Sequence, residues 1–362
     1  MKRVLLAGGG TGGHLMPALA IGSAVHAMHP DWRVVYAGAR RGIEATVLPE
    51  RHLPHHLLPL EPIYRQQWWK NVRWPFLLPG LIVRIDAMLD AEAPDVVVGT
   101  GGYVSGPVLW RAARRGIPTA LLELDVRAGI ATRLMAPRVR EVWLATAETI
   151  ASLPTGARAR ANVTGAPIVP PDPARRAEGA RHFHIDGQRP VVVITGGSQG
   201  SLAINRVAAE WIRSGGSAGV QVLWATGRGS FAEFSSCERP PEVQVIPFID
   251  PMANAWAVAD LCVARAGMMT LSELCAWGIP SLLIPLPTAA ADHQSHNARA
   301  MAATGAAVAL PQAELTPQRF GDIIATLLAA PADRAAMRAA ALARARPDAA
   351  IELAQRVSLL AG

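Results

Sequence analysis

Residues 3–14 of the chain read RVLLAGGGTGGH, and residues 191–201 follow the same plan as VVVITGGSQGS. Each stretch opens with a continuous apolar run, which predicts a strand buried on both faces, as in a parallel sheet. A run of glycines follows each strand, and a helix-like stretch comes next, over residues 14–28 in the first case and 202–213 in the second. The order of strand, glycine loop and helix is typical of a Rossmann-like unit, so the sequence predicts one such unit in each half.

Further apolar runs alternate with helical stretches and complete the predicted sheets. They are residues 33–37, 95–99, 119–122, 142–145, 220–225, 243–247, 260–264 and 281–284. A Pro-, Gly- and Arg-rich stretch at 154–190 separates the halves. We therefore predict an α/β protein with two doubly wound parallel-sheet domains, 1–165 and 166–344, that face each other across a cleft. Residues 317–361 have no strand pattern, and a last helix at about 345–362 is expected to pack back on the first domain.

The composition is that of a folded, two-domain protein. A length of 362 residues exceeds what one core usually serves, and the 51% hydrophobic and 17% charged shares exclude a disordered chain. No run of 18 or more apolar residues occurs, so no segment is predicted to cross a bilayer. The three cysteines, Cys237, Cys262 and Cys275, have no paired spacing and are expected to be buried free thiols in a reducing compartment.

A net charge of +7 predicts an anionic partner. Nucleic acid, phosphorylated substrates and an anionic membrane surface all fit that charge. The arginines are scattered, and no aromatic residues alternate with them along a stripe, which argues against nucleic acid.

The two glycine loops are candidate phosphate sites. Glycine lets the backbone approach a ligand closely, and the helix that follows presents N–H groups and the positive end of its dipole. Neither loop matches the dinucleotide fingerprint, and neither contains the Lys-Ser/Thr pair of a P-loop. Two such loops, one in each domain, indicate an enzyme that holds two substrates.

A third glycine loop, residues 100–107 (TGGYVSGP), follows the predicted strand 95–99. The carboxyl end of a strand is where α/β proteins bind ligands. The alternative is a tight turn into a helix that has Pro107 in its first turn.

The segment 264–298 carries the most chemical information. A helix is predicted to begin near Thr270, so the backbone N–H groups of Met268, Met269 and Thr270 could hold a diphosphate. Glu273 could then accept hydrogen bonds from ribose hydroxyls. The alternative is structural, because Thr270 and Glu273 have the spacing of a capping box.

His293 and His296 are three residues apart on a predicted helix, a spacing that is compatible with a metal ion. No third ligand lies within reach in the sequence, so no metal site is predicted.

Together these motifs resemble the MurG-type N-acetylglucosaminyltransferases of peptidoglycan synthesis, which have the GT-B fold. The matching residues occur in family order from residue 3 to about residue 310. They are residues 9–14 (GGTGGH), 101–107 (GGYVSGP), 196–200 (GGSQG), Asn205, 248–252 (FIDPM), 265–267 (RAG), Thr270, Ser272, Glu273, His293, Gln294 and Asn297.

The resemblance implies an inverting transfer of N-acetylglucosamine from UDP-N-acetylglucosamine to lipid I, the undecaprenyl-linked muramyl-pentapeptide, which gives lipid II. The donor would lie on the C-terminal domain at Ser198, Gln199, Asn205, Phe248, Ile249, Met268, Met269, Thr270, Glu273, His293 and Gln294. The acceptor would lie on the N-terminal domain at Thr11, Gly12, Gly13, His14, Tyr103, Ser105 and Asp125.

Three departures from the family pattern concern substrate contacts. The family's His-Glu-Gln-Asn motif is Leu122-Glu123-Leu124-Asp125 in this chain, which keeps only the glutamate. Thr132 stands where the family has an asparagine. Residues 165–169 read GAPIV in place of Gly-Asn-Pro-Val-Arg, so Ala166 replaces an asparagine and Val169 replaces an arginine expected near the nucleotide.

The implied reaction needs a base for the acceptor hydroxyl and stabilisation of the leaving diphosphate. His14 is the expected base, because it stands at the end of a glycine loop and histidine titrates near neutrality. In the alternative, His14 only positions acceptor phosphate or caps its helix, and Glu123 is the second candidate for the base. The helix start after Gly267 can stabilise the diphosphate, so no cofactor is expected to be required, although a divalent cation could assist.

Residues 63–85 combine tryptophans, Lys and Arg with an apolar stretch, a composition typical of a membrane interface. The expected lipid contacts are Trp68, Trp69, Trp74, Phe76 and Leu77. The resemblance implies a peripheral position on the cytoplasmic face of the inner membrane. Core packing of the same segment is the alternative.

Three other functions stay open on the sequence alone. A GT-B transferase could act on another lipid or on a small-molecule acceptor. A UDP-sugar epimerase of the same architecture would release free sugar product without any acceptor. A UDP-sugar sensor would bind the nucleotide without turnover.

Overall fold

A computed structural model describes residues 1–61, 69, 72, 74–197, 199–289 and 292–362, and at 74–77 it describes the backbone alone.

The chain divides into two compact units. The first unit contains Met1–Ile168 and Asp348–Gly362, and the second unit contains Val169–Pro347. The boundaries predicted from the sequence were 165/166 and 344/345, and each observed boundary falls slightly later in the chain. Burial explains the position of the first boundary. Ile168 is 3% exposed and Val169 is 66% exposed, so the chain leaves the core of the first unit between these two residues.

The first unit is built on a parallel sheet. Within the described residues its strands are β1 (Arg3–Ala7), β2 (Arg33–Ala39), β3 (His55–Leu58), β4 (Val96–Gly99), β5 (Thr119–Glu123), β6 (Glu141–Leu144) and β7 (Ala161–Val163). The spatial order is β3-β2-β1-β4-β5-β6-β7, so the direction of winding reverses between β1 and β4. Leu5 lies beside Val35 of β2 on one side and beside Val97 of β4 on the other.

Helices cover both faces of this sheet. They are α1 (Gly12–Met28), α2 (Glu44–Glu50), α3 (Trp74–Glu92), α4 (Gly102–Arg114), α5 (Ile130–Met135) and α6 (Thr155–Arg158), and a 3-10 turn covers Ala147–Ser152. On α3, residues Leu81, Ile85, Met88 and Leu89 form one buried stripe at helical spacing. This stripe packs in one core with Leu5 and Val35.

The second unit repeats the same plan. Its strands, within the described residues, are β8 (Val191–Thr195), β9 (Gln221–Ala225), β10 (Val243–Ile246), β11 (Leu261–Ala264), β12 (Ser281–Leu283) and β13 (Val308–Ala309). They are all parallel in the order β10-β9-β8-β11-β12-β13, with the reversal between β8 and β11.

The helices of the second unit are α7 (Arg175–His182), α8 (Leu202–Arg213), α9 (Phe231–Phe234), α10 (Met252–Val258), α11 (Met268–Trp277), α12 (His293–Ala303), α13 (Pro317–Ala329) and α14 (Pro331–Arg344), with 3-10 turns at Ser235–Cys237 and Gln312–Glu314. The core joins α8 to α13 through Trp211 and Phe320, whose ring centroids are 5.4 Å apart at an interplanar angle of 70°. This edge-to-face geometry is favourable for aromatic rings.

The last helix, α15 (Ala349–Ala361), belongs to the first unit and packs against α1. Ser358 Oγ and His29 Nε2 are 2.8 Å apart, and Lys2 Nζ donates to Ala361 O at 2.8 Å. The first contact joins α15 to the residue that follows α1, and the second joins it to the residue that precedes β1.

The predicted α/β class with two parallel sheets is confirmed, and each predicted strand is present. The strands that the sequence analysis missed are β3, β7 and β13, and each lies at an edge of its sheet. Their residues are mostly only partly buried, so these strands lack the continuous apolar run by which the central strands were recognised.

Two further expectations are tested by the same structure. Cys237, Cys262 and Cys275 are buried free thiols, as predicted. Among the described residues, no helix combines the length and apolar character that spanning a bilayer requires.

The contact between α1 and β2 supplies a test of the packing. A Cβ on Gly22 would lie 2.0 Å from the Tyr36 hydroxyl and 3.1 Å from Leu6 Cδ1. We expect Gly22→Ala to lower the free energy of unfolding by about 1–3 kcal/mol, because overpacking a buried contact forces its neighbours to move. Urea unfolding followed by circular dichroism measures this change. Adding Tyr36→Phe should recover part of the loss, and equal effects of Gly22→Ala in both backgrounds would contradict the assignment.

Candidate functional site

The first glycine loop connects β1 to α1. Thr11 is the N-cap residue of α1, and the backbone N–H groups of His14 and Leu15 donate to Thr11 O at 3.1 and 3.2 Å. The N–H groups of Gly12 and Gly13 therefore precede the hydrogen-bond ladder of the helix. Together with the positive end of the helix dipole they form an arrangement that suits an anion.

The loop after β4 lies against the first loop. A Cβ on Gly101, which has a φ of 101°, would lie 2.3 Å from His14 Cδ2, and a Cβ on Gly102 would lie 2.2 Å from Gly9 O. Thr100 Oγ1 donates to His14 O at 2.8 Å. The two loops are therefore in direct contact, and only glycine permits this approach at Gly101.

Several predicted acceptor residues converge here. His14 Nδ1 lies 3.0 Å from Thr11 Oγ1, within the first turn of α1. Tyr103 Cε1 would be 2.6 Å from a Cβ on Gly10, so the ring lies directly over that glycine. Ser105 is buried, and its Oγ donates to Gly102 O at 3.3 Å, which indicates a role in shaping the loop.

Glu44 is a residue of this region that the sequence analysis missed. It is 0% exposed, and its carboxylate accepts hydrogen bonds from Gly10 N at 2.9 Å and from Ala39 N at 2.8 Å. The sequence signal available was a glutamate two residues after Gly42, close behind a predicted strand, and it matched no motif.

Glu123, the second candidate for the base, lies at the end of β5. Its carboxylate accepts hydrogen bonds from Asp125 N at 3.0 Å, Gly129 N at 2.9 Å and Thr132 Oγ1 at 2.5 Å. The side chain is buried, and burial, with the charge of Asp125 second, raises the pKa of Glu123. The carboxylate holds the chain from Asp125 to Thr132, which joins two of the positions where this chain departs from the family pattern.

In the second unit, the loop after β8 leads into α8. Gly200 N donates to Gly197 O at 2.9 Å, and Ser201 Oγ caps the helix by accepting from Ile204 N at 3.4 Å. Gln199 is exposed in this turn, and Ser198 lies outside the described residues.

Asn205, on α8, lies in the interior next to the same loop. It is fully buried, its Nδ2 donates to Thr226 O at 2.8 Å, and its Oδ1 accepts from Trp224 Nε1 at 3.0 Å. The side chain therefore connects α8 to β9 and to the turn that follows it.

Helix α11 begins earlier than the sequence analysis placed it. Its N-cap is Gly267 and its first residue is Met268, and the first intrahelical bond runs from Leu271 N to Gly267 O at 3.0 Å. The capping-box interpretation of Thr270 and Glu273 is wrong, because Thr270 already lies inside the helix. The backbone N–H groups of Met268, Met269 and Thr270 lie in the first turn, ahead of the ladder.

Glu273 lies one turn further along α11. Trp256 Nε1, on α10, donates to Glu273 Oε2 at 3.0 Å. Burial raises the pKa of Glu273 to about 7, and the hydrogen bond from Trp256 opposes that rise. The thiol of Cys262, on β11, has a pKa raised first by burial and second by the charge of Glu273.

Arg265 connects the elements around these loops. Its Nη2 donates to Ser201 Oγ and to Gln312 Oε1, each at 2.7 Å, and its Nη1 donates to the carbonyls of Ile284 and Pro285 at 3.0 and 3.1 Å. Burial lowers the pKa of Arg265 to about 10. The guanidinium is a structural bridge between β11, β12 and the start of α8.

The remaining predicted donor residues lie on neighbouring segments. Phe248 is exposed and lies under the Arg228 guanidinium, at 5.7 Å from Cζ to the ring centroid, and Ile249 is buried. Gln294 Oε1 accepts from Leu286 N at 3.0 Å, and Asn297 Nδ2 donates to Ala266 O at 3.1 Å.

His293 and His296 both lie on α12. Across the part of the chain that the structure describes, no group of three or more His, Cys, Asp and Glu side chains is placed to hold a metal ion.

Comparisons with known proteins agree with this architecture. Residues 4–144 match the glycosyltransferase family 28 N-terminal domain, and residues 191–353 match the glycosyltransferase family 28 C-terminal domain. The first match lies in the first unit, and the second begins at β8.

Relatives named UDP-N-acetylglucosamine–N-acetylmuramyl-(pentapeptide) pyrophosphoryl-undecaprenol N-acetylglucosamine transferase align along nearly the whole chain. The one from Carboxydothermus hydrogenoformans is 38% identical over 339 residues, which are 91% of this chain and 90% of that protein. The one from Salinibacter ruber is 37% identical over 369 residues, which are 99% of this chain and 96% of that protein. These alignments confirm the family resemblance found in the motifs.

A solved structure supports the fold independently. The crystal structure of Acinetobacter baumannii MurG superposes with a TM-score of 0.78 over 99% of this chain and 100% of that chain, at 24% sequence identity.

The environment of Glu273 predicts a pH dependence of stability. The folded-state pKa of Glu273, about 7, is above the ordinary glutamate value of 4.5, so the folded protein binds more protons than the unfolded chain between these values. Stability conferred by the protonated form is therefore lost as the pH rises towards 7. Glu273→Gln should remove this loss, so the variant gains about 2 kcal/mol relative to the wild type between pH 5.5 and 8.

Urea unfolding at both pH values measures that gain, and Glu210→Gln, at an exposed position on α8, controls for the lost charge. A difference between Glu273→Gln and the wild type that stays constant across this pH range would contradict the assignment.

Proposed function

The chain belongs to glycosyltransferase family 28, among the MurG-type N-acetylglucosaminyltransferases, and we propose from this that it moves N-acetylglucosamine from UDP-N-acetylglucosamine to lipid I, giving lipid II. The observation that carries the proposal is the alignment, over nearly the full length of both chains, with relatives named for this reaction.

The donor is proposed to lie on the second unit, at the carboxyl ends of β8 and β11. The first-turn N–H groups of Met268, Met269 and Thr270 support a diphosphate site, because they precede the helix ladder and stand at the positive end of the α11 dipole. Glu273 would accept from the ribose hydroxyls, oriented by the bond from Trp256.

Other residues are proposed to contact the uracil and the N-acetylglucosamine of the donor. The exposed ring of Phe248 and the backbone of Ile249 would meet the uracil, and Gln294 would donate from its amide nitrogen to the sugar, with His293 beside it. Asn205 would act indirectly, because both of its polar atoms bind protein groups that shape the loop. Ser198 and Gln199 stay predictions for the diphosphate.

The acceptor is proposed to lie on the first unit, with its diphosphate over the start of α1. The N–H groups of Gly12 and Gly13 support this position, and Thr11, Tyr103 and Ser105 line or shape the same loops. Asp125 follows at the end of β5, held through Glu123.

The chemistry is a single inverting displacement. The acceptor hydroxyl oxygen forms a bond to the anomeric carbon while the bond from that carbon to the UDP oxygen breaks, and the electron pair leaves with UDP. The hydroxyl proton passes to a base, for which we propose His14, because it stands where the two glycine loops meet. Burial of Glu123 and its three hydrogen bonds support a structural role for that carboxylate.

The leaving diphosphate is proposed to be stabilised by the start of α11, where developing negative charge meets the helix dipole. On this mechanism no cofactor is required for turnover, and a divalent cation would only assist.

The enzyme is proposed to act at the cytoplasmic face of the inner membrane as a peripheral protein, since its acceptor carries a polyprenyl chain. Trp69, Val72, Leu78 and Val83 are exposed apolar residues of the predicted interface segment, and Arg84 beside them is exposed as well. Trp68 and the side chains of Trp74, Phe76 and Leu77 lie outside the described residues.

Transfer of radiolabelled N-acetylglucosamine to a short-chain lipid I analogue tests the function. We expect turnover in the wild type that persists in EDTA and that needs the acceptor. Glu273→Ala should raise the donor KM by roughly tenfold, because a hydrogen bond to a charged group is lost. His14→Ala should lower kcat by about a hundredfold, with the exposed His26→Ala on the same helix as its control.

The outcomes of this assay separate the alternatives. Release of a free sugar without acceptor would favour an epimerase, and transfer only to other acceptors would favour a different GT-B transferase. Nucleotide binding without any turnover would favour a sensor.

Vesicle binding tests the membrane interface. Replacing Trp69, Val72 and Val83 together with serine should weaken binding to vesicles that contain anionic phospholipid by roughly tenfold or more, because apolar area and interfacial anchoring are lost. Sedimentation with the vesicles measures binding, and UDP binding should be unchanged. The matched control replaces the exposed Ile351 and Leu359 of α15 with serine. Equal sedimentation of all three proteins would contradict the proposal.

A further inference from the structure

We propose that Glu44 is a positioning residue for the acceptor: its buried carboxylate sets the conformation of the glycine loop after β1, and so fixes where the acceptor diphosphate binds. This inference rests on the proposed function, since it assigns the loop to the acceptor.

The carboxylate joins two strand ends. Glu44 opens α2, and its Oε1 accepts from the N–H of Ala39, the last residue of β2, at 2.8 Å. Both of its oxygens lie 2.9 Å from Gly10 N, in the loop after β1. The glutamate therefore ties the phosphate loop to the neighbouring strand rather than to its own helix.

The surrounding chain is shaped to admit this side chain. A Cβ on Gly9 would lie 2.2 Å from Glu44 Oε1, one on Gly42 would lie 2.2 Å from Oε2, and one on Gly38 would lie 2.3 Å from Cγ. Three separate glycines thus leave room for one carboxylate. A buried carboxylate is costly unless donors satisfy it, so an apolar side chain would serve better if packing were the only requirement.

The N–H groups of the loop after β1 therefore have different surroundings, some in the protein interior and some at the start of α1. The N–H of Gly10 points inward to Glu44, and the Tyr103 ring lies over Gly10, 2.6 Å from the position of a Cβ. Gly10 has a φ of 93°, and this conformation turns the following residues into α1. The N–H groups of Gly12 and Gly13, which follow at the start of α1, precede the helix ladder and are placed to meet an anion.

The charge of Glu44 also favours binding of the acceptor diphosphate at the start of α1 rather than over Gly9 and Gly10. A diphosphate placed over Gly9 and Gly10 would approach a buried carboxylate, and like charges repel strongly where water is excluded. The diphosphate is thereby directed to the start of α1, beside His14. Glu44 therefore acts on the acceptor through the position of the loop that leads into α1.

Glu44→Gln tests this assignment in the full-length protein. The amide keeps the shape of the side chain but places an NH2 group against one of the two backbone N–H donors, so the loop loses its fixed position. With the lipid I analogue we expect the acceptor KM to rise roughly tenfold or more, while the donor KM stays within about twofold of the wild type.

The matched control is Glu92→Gln. Glu92 is also a buried glutamate of the first unit, but it binds Arg33 Nε at 3.0 Å and His56 Nε2 at 2.8 Å, near the start of β2 rather than its end. This variant should lose thermal stability and keep both KM values.

An acceptor KM that is unchanged in Glu44→Gln, or that rises equally with the donor KM, would overturn the positioning role. Hydrogen exchange of the peptide containing residues 8–14 provides a readout that does not need turnover: it should quicken in Glu44→Gln and stay unchanged in Glu92→Gln. If the wild type transfers nothing to lipid I, the proposed function fails, and the exchange result alone decides whether Glu44 holds the loop.

Discussion

The first N–H groups of a helix have no acceptor within the helix and need one from elsewhere. In both units such N–H groups occur where a buried strand is followed by a loop and a helix. The helices α1 and α11 start beside the reversal points of the two sheets, where ligand sites of doubly wound proteins lie. Helix α8 satisfies its start with the hydroxyl of Ser201, whereas among the described residues no side chain caps α1 or α11. These two uncapped starts are helix starts to which we assign substrate phosphates.

Three glutamates, of which Glu44 and Glu123 are buried and Glu273 is half-buried, join neighbouring segments of the two units in different ways. Glu44 ties the first loop to β2, Glu123 holds the chain from Asp125 to Thr132, and Glu273 meets the indole of Trp256. For Glu123 and Glu273, burial is the largest cause of a raised pKa. The environments differ in their donors, because two backbone N–H groups and the Thr132 hydroxyl donate to Glu123, whereas the indole N–H of Trp256 donates to Glu273. A carboxylate therefore serves as a loop anchor in the first unit and as a candidate ligand contact in the second.

Much of the architecture could be predicted from the sequence, because parallel strands buried on both faces leave a plain signal. The continuous runs at 3–7 and 191–195 marked both central strands, and the glycines marked the loops after them. The start of α11 was placed two residues late, because Thr270 and Glu273 imitate a capping box while the true N-cap, Gly267, offers no side chain. Glu44 could not be found in the same way, since its partners Gly10 and Ala39 bind it through backbone atoms, which leave no trace in the residue types.

The position of α15 has a consequence for the synthesis of the chain. The second unit, Val169–Pro347, is continuous, but the first unit includes Asp348–Gly362, which follow the whole of the second unit in the chain. The second unit can fold as soon as its own residues have emerged, whereas α1 has no α15 to pack against until residues beyond Pro347 have been synthesised. The unit whose synthesis begins first is thus completed only after the whole of the second unit has been made.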